Sequence, residues 1–285
     1  MPPSTPATLA ELIAPMPPAT FRELLRERRL HYQPEVGDYA GLLDWDGLFD
    51  LIADNGVPAK DLSIFRQRRR IPQMFYCDGG RYKPDVIRQL MSSSAAALVA
   101  GAEKRFPSLA ALCAAIAVEL DENVGATVIA STGDEAAFEL HCDMYDLIIL
   151  QLDGIKRWSI HGEPMIDPVR GMSRRPVGVP PKVLEVDLRY GDWLFVPAGY
   201  WHQCELPGER SLHVALKIYP LTPPRVLDLL TREMIGREED RKPIRFDDGG
   251  EAAAEAALKQ RLIDRISAMS LKDLVRMHGA ASVND

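Results

Sequence analysis

A chain of 285 residues has room for one large domain or two small ones. Its 34 Lys and Arg stand against 41 Asp and Glu, a formal net charge of −7, with 46% of residues hydrophobic and 26% charged. That composition can bury a full core, excludes a disordered protein and argues against a broadly basic nucleic-acid binder. No apolar run approaches the roughly 18–20 residues of a membrane span, so no membrane association is expected. MPPSTPATLAELIAPMPP at the start lacks the basic and long apolar regions of a secretory signal. Cys77, Cys113, Cys142 and Cys204 are scattered without CxxC spacing. Neither a disulfide framework nor a zinc site is therefore expected, and a reducing, cytoplasmic setting is.

The first thirty residues are Pro/Ala-rich and then helix-like, with Thr20 as the expected N-cap before FRELLRERR. DWDGLFDLIA (44–53) reads as a short amphipathic helix, and 56–76 as an irregular basic stretch ending in strand-like MFY. From about 84 to 120 the pattern is helical, with Asp85 as a cap and Ser108 ahead of the apolar run LAALCAAIAVEL. The clusters Arg26, Arg28, Arg29 and Arg66, Arg68, Arg69, Arg70 invite an RNA or acidic-partner reading; in a protein of this acidity the stronger reading is a solvated helix face or loop.

Between about 124 and 219, short β-branched and aromatic runs alternate with Gly, Pro and Asp-Gly turns, the pattern of an antiparallel barrel or jelly roll. Segment 162–182 holds five prolines and reads as a loop across the barrel mouth, carrying Arg170, Arg174 and Arg175. Beyond Pro220 the pattern is helical again. Pro223-Pro224 opens one helix, and a second spans about 252–268 with Leu258, Leu262, Ile266 and Met269 as an apolar stripe. Such a stripe suits either the protein's own barrel or a second subunit. Ser270 with Asp273 resembles a capping box for a last helix that Gly279 would stop.

The chemistry concentrates in FELHCDMYD. In a strand, His141 and Asp143 project to one face and Cys142 to the other. They offer two legs of a 2-His-1-carboxylate set, which suits non-haem Fe(II) and leaves coordination positions open. His202, after GDWLFVPAGYWH, is the candidate second imidazole. His31, His161 and His278 fall near element ends or loops and read as surface residues, and His213 reads as a hydrogen-bonded core histidine. Asp153-Gly154 is a two-residue hairpin signal that would pair Gln151 with Lys156 and Ile149 with Trp158. That register puts Lys156 on the face of His141 and Asp143, and a buried ammonium calls for an anion opposite it. A bound dicarboxylate would serve.

HCDMYDLIILQLDGIKRW followed by GDWLFVPAGYWH resembles the JmjC/cupin-type 2-oxoglutarate oxygenases, particularly the ribosomal-oxygenase branch, over roughly residues 40–220. The resemblance implies a mainly β fold: a double-stranded β-helix (jelly roll, cupin) core with a helical N-terminal region and C-terminal helices. It divides the protein into a helical lead-in (1–40), a catalytic barrel (41–220) and a helical region suited to dimerisation (221–285). It implies that His141, Asp143 and His202 hold Fe(II) and that Lys156 pairs with the distal carboxylate of 2-oxoglutarate. Tyr145, Gln151 and Trp158 match positions that line or brace the pocket. An Asn that this branch carries near the cosubstrate is missing, and Thr127, Ser131 or Thr132 stand in its place. The implied reaction uses O2 to hydroxylate a C–H bond in a protein or peptide side group, releasing succinate and CO2. A small-molecule hydroxylase with the same iron site is the alternative. A metal-free cupin scaffold is a more distant one. No direct nucleic-acid binding is expected.

Overall fold

The computed structural model describes residues 5–35, 37–133, 138–244, 250–270 and 273–274. By compactness the protein falls into two units, Met1–Tyr219 and Pro220–Asp285.

Helix α1 (Leu9–Leu12) opens the first unit in a capping box between Thr8 and Glu11. Helix α2 (Pro18–Glu27) begins two residues before Thr20, because Pro18 presets the first helical φ. Thr20 thus lies inside the first turn and does not cap. Strand β1 (His31–Gln33) follows, then α3 (Trp45–Ala53), capped where Asp44 Oδ1 accepts from the Gly47 amide at 2.8 Å. Strands β2 (Leu62–Arg66) and β3 (Arg69–Arg70) form a hairpin. The expected strand at MFY is a 3-10 turn, Gln73–Phe75, closed by the Tyr76 amide on the Gln73 carbonyl. A small hairpin of β4 (Cys77–Asp78) and β5 (Arg81–Tyr82) precedes α4 (Pro84–Ser92).

The helical reading of 84–120 is interrupted by β6 (Ala96–Ala100). Its Ala-rich sequence favours helix locally, and pairing with strands on both sides overrides that preference. Helix α5 (Pro107–Leu120) follows. Neither Asp85 nor Ser108 caps: Pro84 and Pro107 take the first helical positions, and Ser108 Oγ instead donates to the Leu42 carbonyl at 2.6 Å.

The remaining strands are β7 (Asn123–Thr132), β8 (Asp146–Gly154), β9 (Lys156–His161), β10 (Lys182–Leu188), β11 (Trp193–Val196), β12 (Trp201–Glu205) and β13 (Arg210–Tyr219). They build two facing antiparallel sheets, a large one ordered β1-β11-β8-β13-β7-β6-β2-β3 and a small one ordered β10-β9-β12. This is the mainly β jelly roll expected, with helical additions.

One register expectation fails. β8 pairs with β11 and β13, while β9 pairs with β10 and β12, so Asp153-Gly154 is no hairpin turn. At Gly154 (φ +68°) the backbone passes from one sheet to the other, and a Cβ there would stand 1.9 Å from the Arg210 carbonyl oxygen. Backbone this close admits only glycine.

The large sheet is apolar on both faces. Ile148, Leu150, Trp193, Phe195, Val214 and Leu216 join Leu9, Phe21, Leu109 and Ile116 of the helices in one core. The Phe21 ring meets Trp193 and Phe195 edge-on, with centroids 6.2 and 5.1 Å away. The amino-terminal helices thereby belong to the barrel unit. Leu147, Ile149, Leu194, Val196 and Ala215 on the opposite face pack with Trp158, Ile160 and Leu188 of the small sheet. That inner layer surrounds the site.

In the second unit, Thr222 caps α6 (Pro223–Ile235), and α7 (Gly250–Ser267) carries the apolar stripe. No residue of α7 is buried, and Ile263 and Ile266 are exposed. Ser270 and Asp273 bond reciprocally as a capping box does. His278 and Gly279 lie outside the described residues.

Candidate metal centre and cavity

His141, Asp143 and His202 come together with one ligand atom from each, all within 4.8 Å of one another. The local structure differs from the strand expected. Residues 138–145 form no regular strand; His141 is held by an isolated bridge in which its amide donates to the His202 carbonyl (3.1 Å) and the His202 amide donates back (2.7 Å). β8 begins only at Asp146. The bridge sets the two imidazoles 4.4 Å apart, centroid to centroid.

Each imidazole presents Nδ1 to a backbone carbonyl, His141 to Glu139 at 2.8 Å and His202 to Tyr200 at 3.0 Å. A carbonyl only accepts, so Nδ1 carries the proton and Nε2 keeps its lone pair for a metal. Burial holds the His202 pKa down to about 4, so it is neutral and ready to ligate. Asp143 stays ionised: burial works against its charge, and the imidazoles, Arg174 and Lys217 outweigh that. Its Oδ2 lies 3.6 Å from His202 Nε2.

The GDWLFVPAGYWH block supports this arrangement from behind. Buried Asp192 accepts from the Glu35 and Arg189 amides, each at 2.8 Å, and from the Tyr32 hydroxyl at 3.1 Å, which fixes the start of β11. At the other end the Gly199 amide donates to the Asp143 carbonyl (2.9 Å) and the Ala198 amide to Asp146 Oδ1 (2.8 Å). Gly199 has φ +88°, and a Cβ there would stand 2.0 Å from the Met165 carbonyl oxygen. The turn before His202 is thus tied to the HxD segment and to loop 162–182 together.

These groups border a cavity of about 450 Å³ between the sheets. Lys156 projects into it, 2% exposed, with Nζ donating to Ser131 Oγ at 3.1 Å. The sequence placed Lys156 inside through a pairing with Gln151 that does not exist; its inward position comes from pairing with Leu188 in the small sheet. Burial pulls its pKa down, and no carboxylate pairs with it among the described residues. Tyr145, Trp158 and Thr127 also line the cavity. Gln151 does not: its amide donates to Ser211 Oγ and the Asp153 carbonyl, bracing β8 against β13. Of the three hydroxyls in place of the family's Asn, Ser131 meets Lys156, Thr127 lines the cavity and Thr132 caps the Met91 and Ala95 carbonyls outside it.

His213, which the sequence suggests is a hydrogen-bonded core histidine, and Lys217, which no motif singled out, both line the cavity. His213 and Lys217 project inward from β13 on either side of Ala215. The signal was there in SLHVALKIY, whose even-numbered residues Leu212, Val214, Leu216 and Ile218 all face the apolar core. His213 is buried against the Trp158 edge, and Nδ1 has no partner among the described residues. Burial, with Lys156 nearby, drops its pKa to about 3. Lys217 Nζ sits 4.8 Å over the Tyr145 ring. From loop 162–182, Arg174 bonds the Cys142 carbonyl at 2.8 Å and pairs with Asp143, and Arg175 pairs with Glu139 at 3.0 Å. The loop therefore reaches the site, as expected. His161, expected at the surface, is buried, with Nδ1 2.6 Å from the Pro180 carbonyl.

A jelly roll with an HxD…H cluster at one end of its inner cavity defines a cupin-type metal-site fold. Residues 103–225 match the JmjC domain family. It is 24% identical over 189 residues to the bifunctional lysine-specific demethylase and histidyl-hydroxylase NO66 of Culex quinquefasciatus, covering 64% of this sequence and 29% of that one. It is 26% identical over 224 residues to ribosomal oxygenase 1 of Rattus norvegicus, covering 73% and 36%. The match thus spans about a third of the length of these curated relatives. Among solved structures, E. coli ycfD superposes with a TM-score of 0.62 at 14% identity, over 92% of this protein and 71% of that one. The same E. coli protein, described as a ribosomal oxygenase in complex with cobalt and 2-oxoglutarate, gives 0.59 at 13% identity, over 93% and 71%. These likenesses establish the fold.

Two expectations follow. His141→Ala or Asp143→Ala should weaken Co(II) binding by more than about a hundredfold, since loss of supporting partners alone costs ten- to a hundredfold. Visible absorbance in a cobalt titration of the folded variants reads this, and wild-type affinity would reject the cluster as the metal site. For His213, the unfolded state takes up a proton below pH about 6.5 that the folded state refuses until about pH 3. Stability should therefore fall with acidification through that window at roughly 1.4 kcal/mol per pH unit for this residue. His213→Asn should flatten that slope by one proton in urea titrations across pH, and an unchanged slope would show that His213 is protonated in the fold.

Proposed function

We propose that this protein is an Fe(II)- and 2-oxoglutarate-dependent oxygenase that hydroxylates a C–H bond in a side group of a protein or peptide, with succinate and CO2 as co-products. One observation supports the reading above others. The His141, Asp143, His202 cluster and the buried Lys156 share a single cavity, and among the described residues no carboxylate answers the lysine. The donor set fits the iron: two imidazoles with free Nε2 and one ionised carboxylate on one side leave the other side open. Lys156 fits the cosubstrate, because a buried ammonium with only a hydroxyl partner is stabilised by a carboxylate. When bound, Fe(II) with 2-oxoglutarate and O2 supplies the oxidising power that an unactivated C–H requires.

The protein's own residues bind, orient and exclude water. Lys156 and Ser131 hold the distal carboxylate, and Thr127 and Trp158 shape the wall beside it. Neutral His213 keeps that end of the cavity free of a further charge. The Glu139 and Tyr200 carbonyls hold the ligating imidazoles in one tautomer, and Arg174 keeps Asp143 ionised. A polypeptide substrate is supported by the relatives, whose names describe a histidyl-hydroxylase and a ribosomal oxygenase.

The reading is tested by succinate formation from 2-oxoglutarate with Fe(II) and by mass spectrometry of host proteins for gain of one oxygen. Lys156→Ala removes a charge-assisted bond and should raise the 2-oxoglutarate requirement roughly tenfold or more. Lys156→Arg should recover part of that, and both should bind Co(II) as the wild type does. Unaltered 2-oxoglutarate affinity in Lys156→Ala would reject the assignment.

The exposed apolar edge of α7 supports a homodimer through the C-terminal helices as part of this proposal. Ile263→Asp with Ile266→Asp should then yield a monomer by light scattering, and an unchanged mass would dismiss that interface. The four unpaired cysteines support a cytoplasmic setting, which cell fractionation checks.

A further inference from the structure

The rim of the cavity has a charge opposite to that of the protein as a whole. β2 and β3 join through a two-residue turn in which Gln67 (φ 50°) and Arg68 (φ 60°) both take the left-handed conformation. Gly and Asn adopt it readily, and neither is present. Backbone held this way concentrates at functional positions. The turn displays Arg66, Arg68 and Arg69, all exposed, and among the described residues no carboxylate pairs with any of the three. Arg68 lines the cavity mouth together with Phe65, and Arg174 and Arg175 line it from loop 162–182.

Inside, the excess persists. On the function proposed above, 2-oxoglutarate answers Lys156 and the metal, while Asp143 is shared between metal and protein. Lys217 is left with an aromatic face under its ammonium, and besides Asp143 the one carboxylate acting on it among the described residues is Glu103, whose Oε2 is already engaged by the Ala126 amide. A cationic side group entering here would meet like charge in a cavity of low dielectric constant.

We propose that the polypeptide this site takes is acidic: carboxylates beside the reacting residue pair with Arg66, Arg68 and Arg69, and the reacting residue bears no positive charge because Lys217 repels it. A peptide suits the rim better than RNA does. Phe65 and Phe138 pack edge to face, centroids 4.9 Å apart, so one face of the pair is taken by its neighbour and, among the described residues, the rim offers no row of parallel rings for successive bases. A net charge of −7 also opposes extended nucleic-acid contact.

The test is fluorescence anisotropy with short labelled peptides that have a central Asn flanked by Glu, Gln or Lys, alongside a labelled oligouridylate. The Glu-flanked peptide should bind roughly tenfold more tightly than the Gln-flanked one, and the Lys-flanked one most weakly, with the gap closing as salt rises. Combined Arg66→Glu, Arg68→Glu and Arg69→Glu, all on the surface, should invert the order. Exchanging the central Asn for Lys should weaken binding about tenfold in the wild type and far less in Lys217→Gln. Equal affinity or none for the three peptides, preference for the Lys-flanked one, tightest binding of the oligouridylate, or an order unchanged by charge reversal would each overturn the proposal. Co(II) and 2-oxoglutarate binding by the same wild-type preparation separates the two readings. Its absence overturns the oxygenase assignment and this inference with it, whereas intact binding without an acidic preference overturns this inference alone.

Discussion

Two reciprocal backbone hydrogen bonds between His141 and His202 set the geometry on which the site depends. They come from segments about sixty residues apart in the sequence, one an irregular stretch and the other the start of an edge strand in the small sheet. Side groups alone would leave the buried His202 and the half-buried His141 imidazoles free to rotate. Here each peptide group is fixed by its partner, and each Nδ1 is committed to a carbonyl two residues away. Ring plane, tautomer and spacing are then properties of the backbone. A metal entering such a site finds its ligands ordered in advance, and little side-group entropy remains to be lost on binding.

That bridge needs a rigid frame, and the frame is made by burial on both faces of the large sheet. The outer face is closed by Phe21, Leu9 and the α5 leucines, so that β8, β11 and β13 cannot slide without exposing Ile148, Leu150 and Trp193. A register slip of one residue would also turn His213 and Lys217 into the core and bring aliphatic groups into the cavity. The apolar helices far from the metal thus specify which polar groups reach it. The turn Pro197-Ala198-Gly199 connects frame and site, since its amides bond both Asp143 and Asp146.

The residue types of the site were legible in the sequence, and so were the jelly roll and its helical ends. HxD, Lys156 and the GDWLFVPAGYWH block hold chemistry that few other patterns require. Their path through space was not legible. Asp153-Gly154 has the composition of a hairpin turn, yet its glycine serves a passage between sheets, a choice made by the distant Arg210 carbonyl and invisible to local rules. β6 was hidden for a related reason: AALVA has no β signature of its own and becomes a strand through β2 and β7. Lys217 could have been found from the alternation of SLHVALKIY, whereas Gln151 could not have been set aside. Only the contact with Ser211 shows that it braces and does not line.

Charge is distributed along the cavity in an order that constrains what it can hold. Lys156 lies at the end remote from the ligands, next to an imidazole that burial keeps neutral. Lys217 and Arg174 lie close to Asp143. A neutral zone of Ile149, Ala215 and Trp158 lines the space between the two cationic ends. A molecule with two separated negative groups and an apolar middle matches that order, and a dicarboxylate of a few carbons is the simplest such molecule. The same order leaves the ligand end positive once the dicarboxylate is in place. A group approaching from the mouth therefore passes Arg68 at the rim and then Arg174 and Lys217 beside the His141, Asp143, His202 cluster.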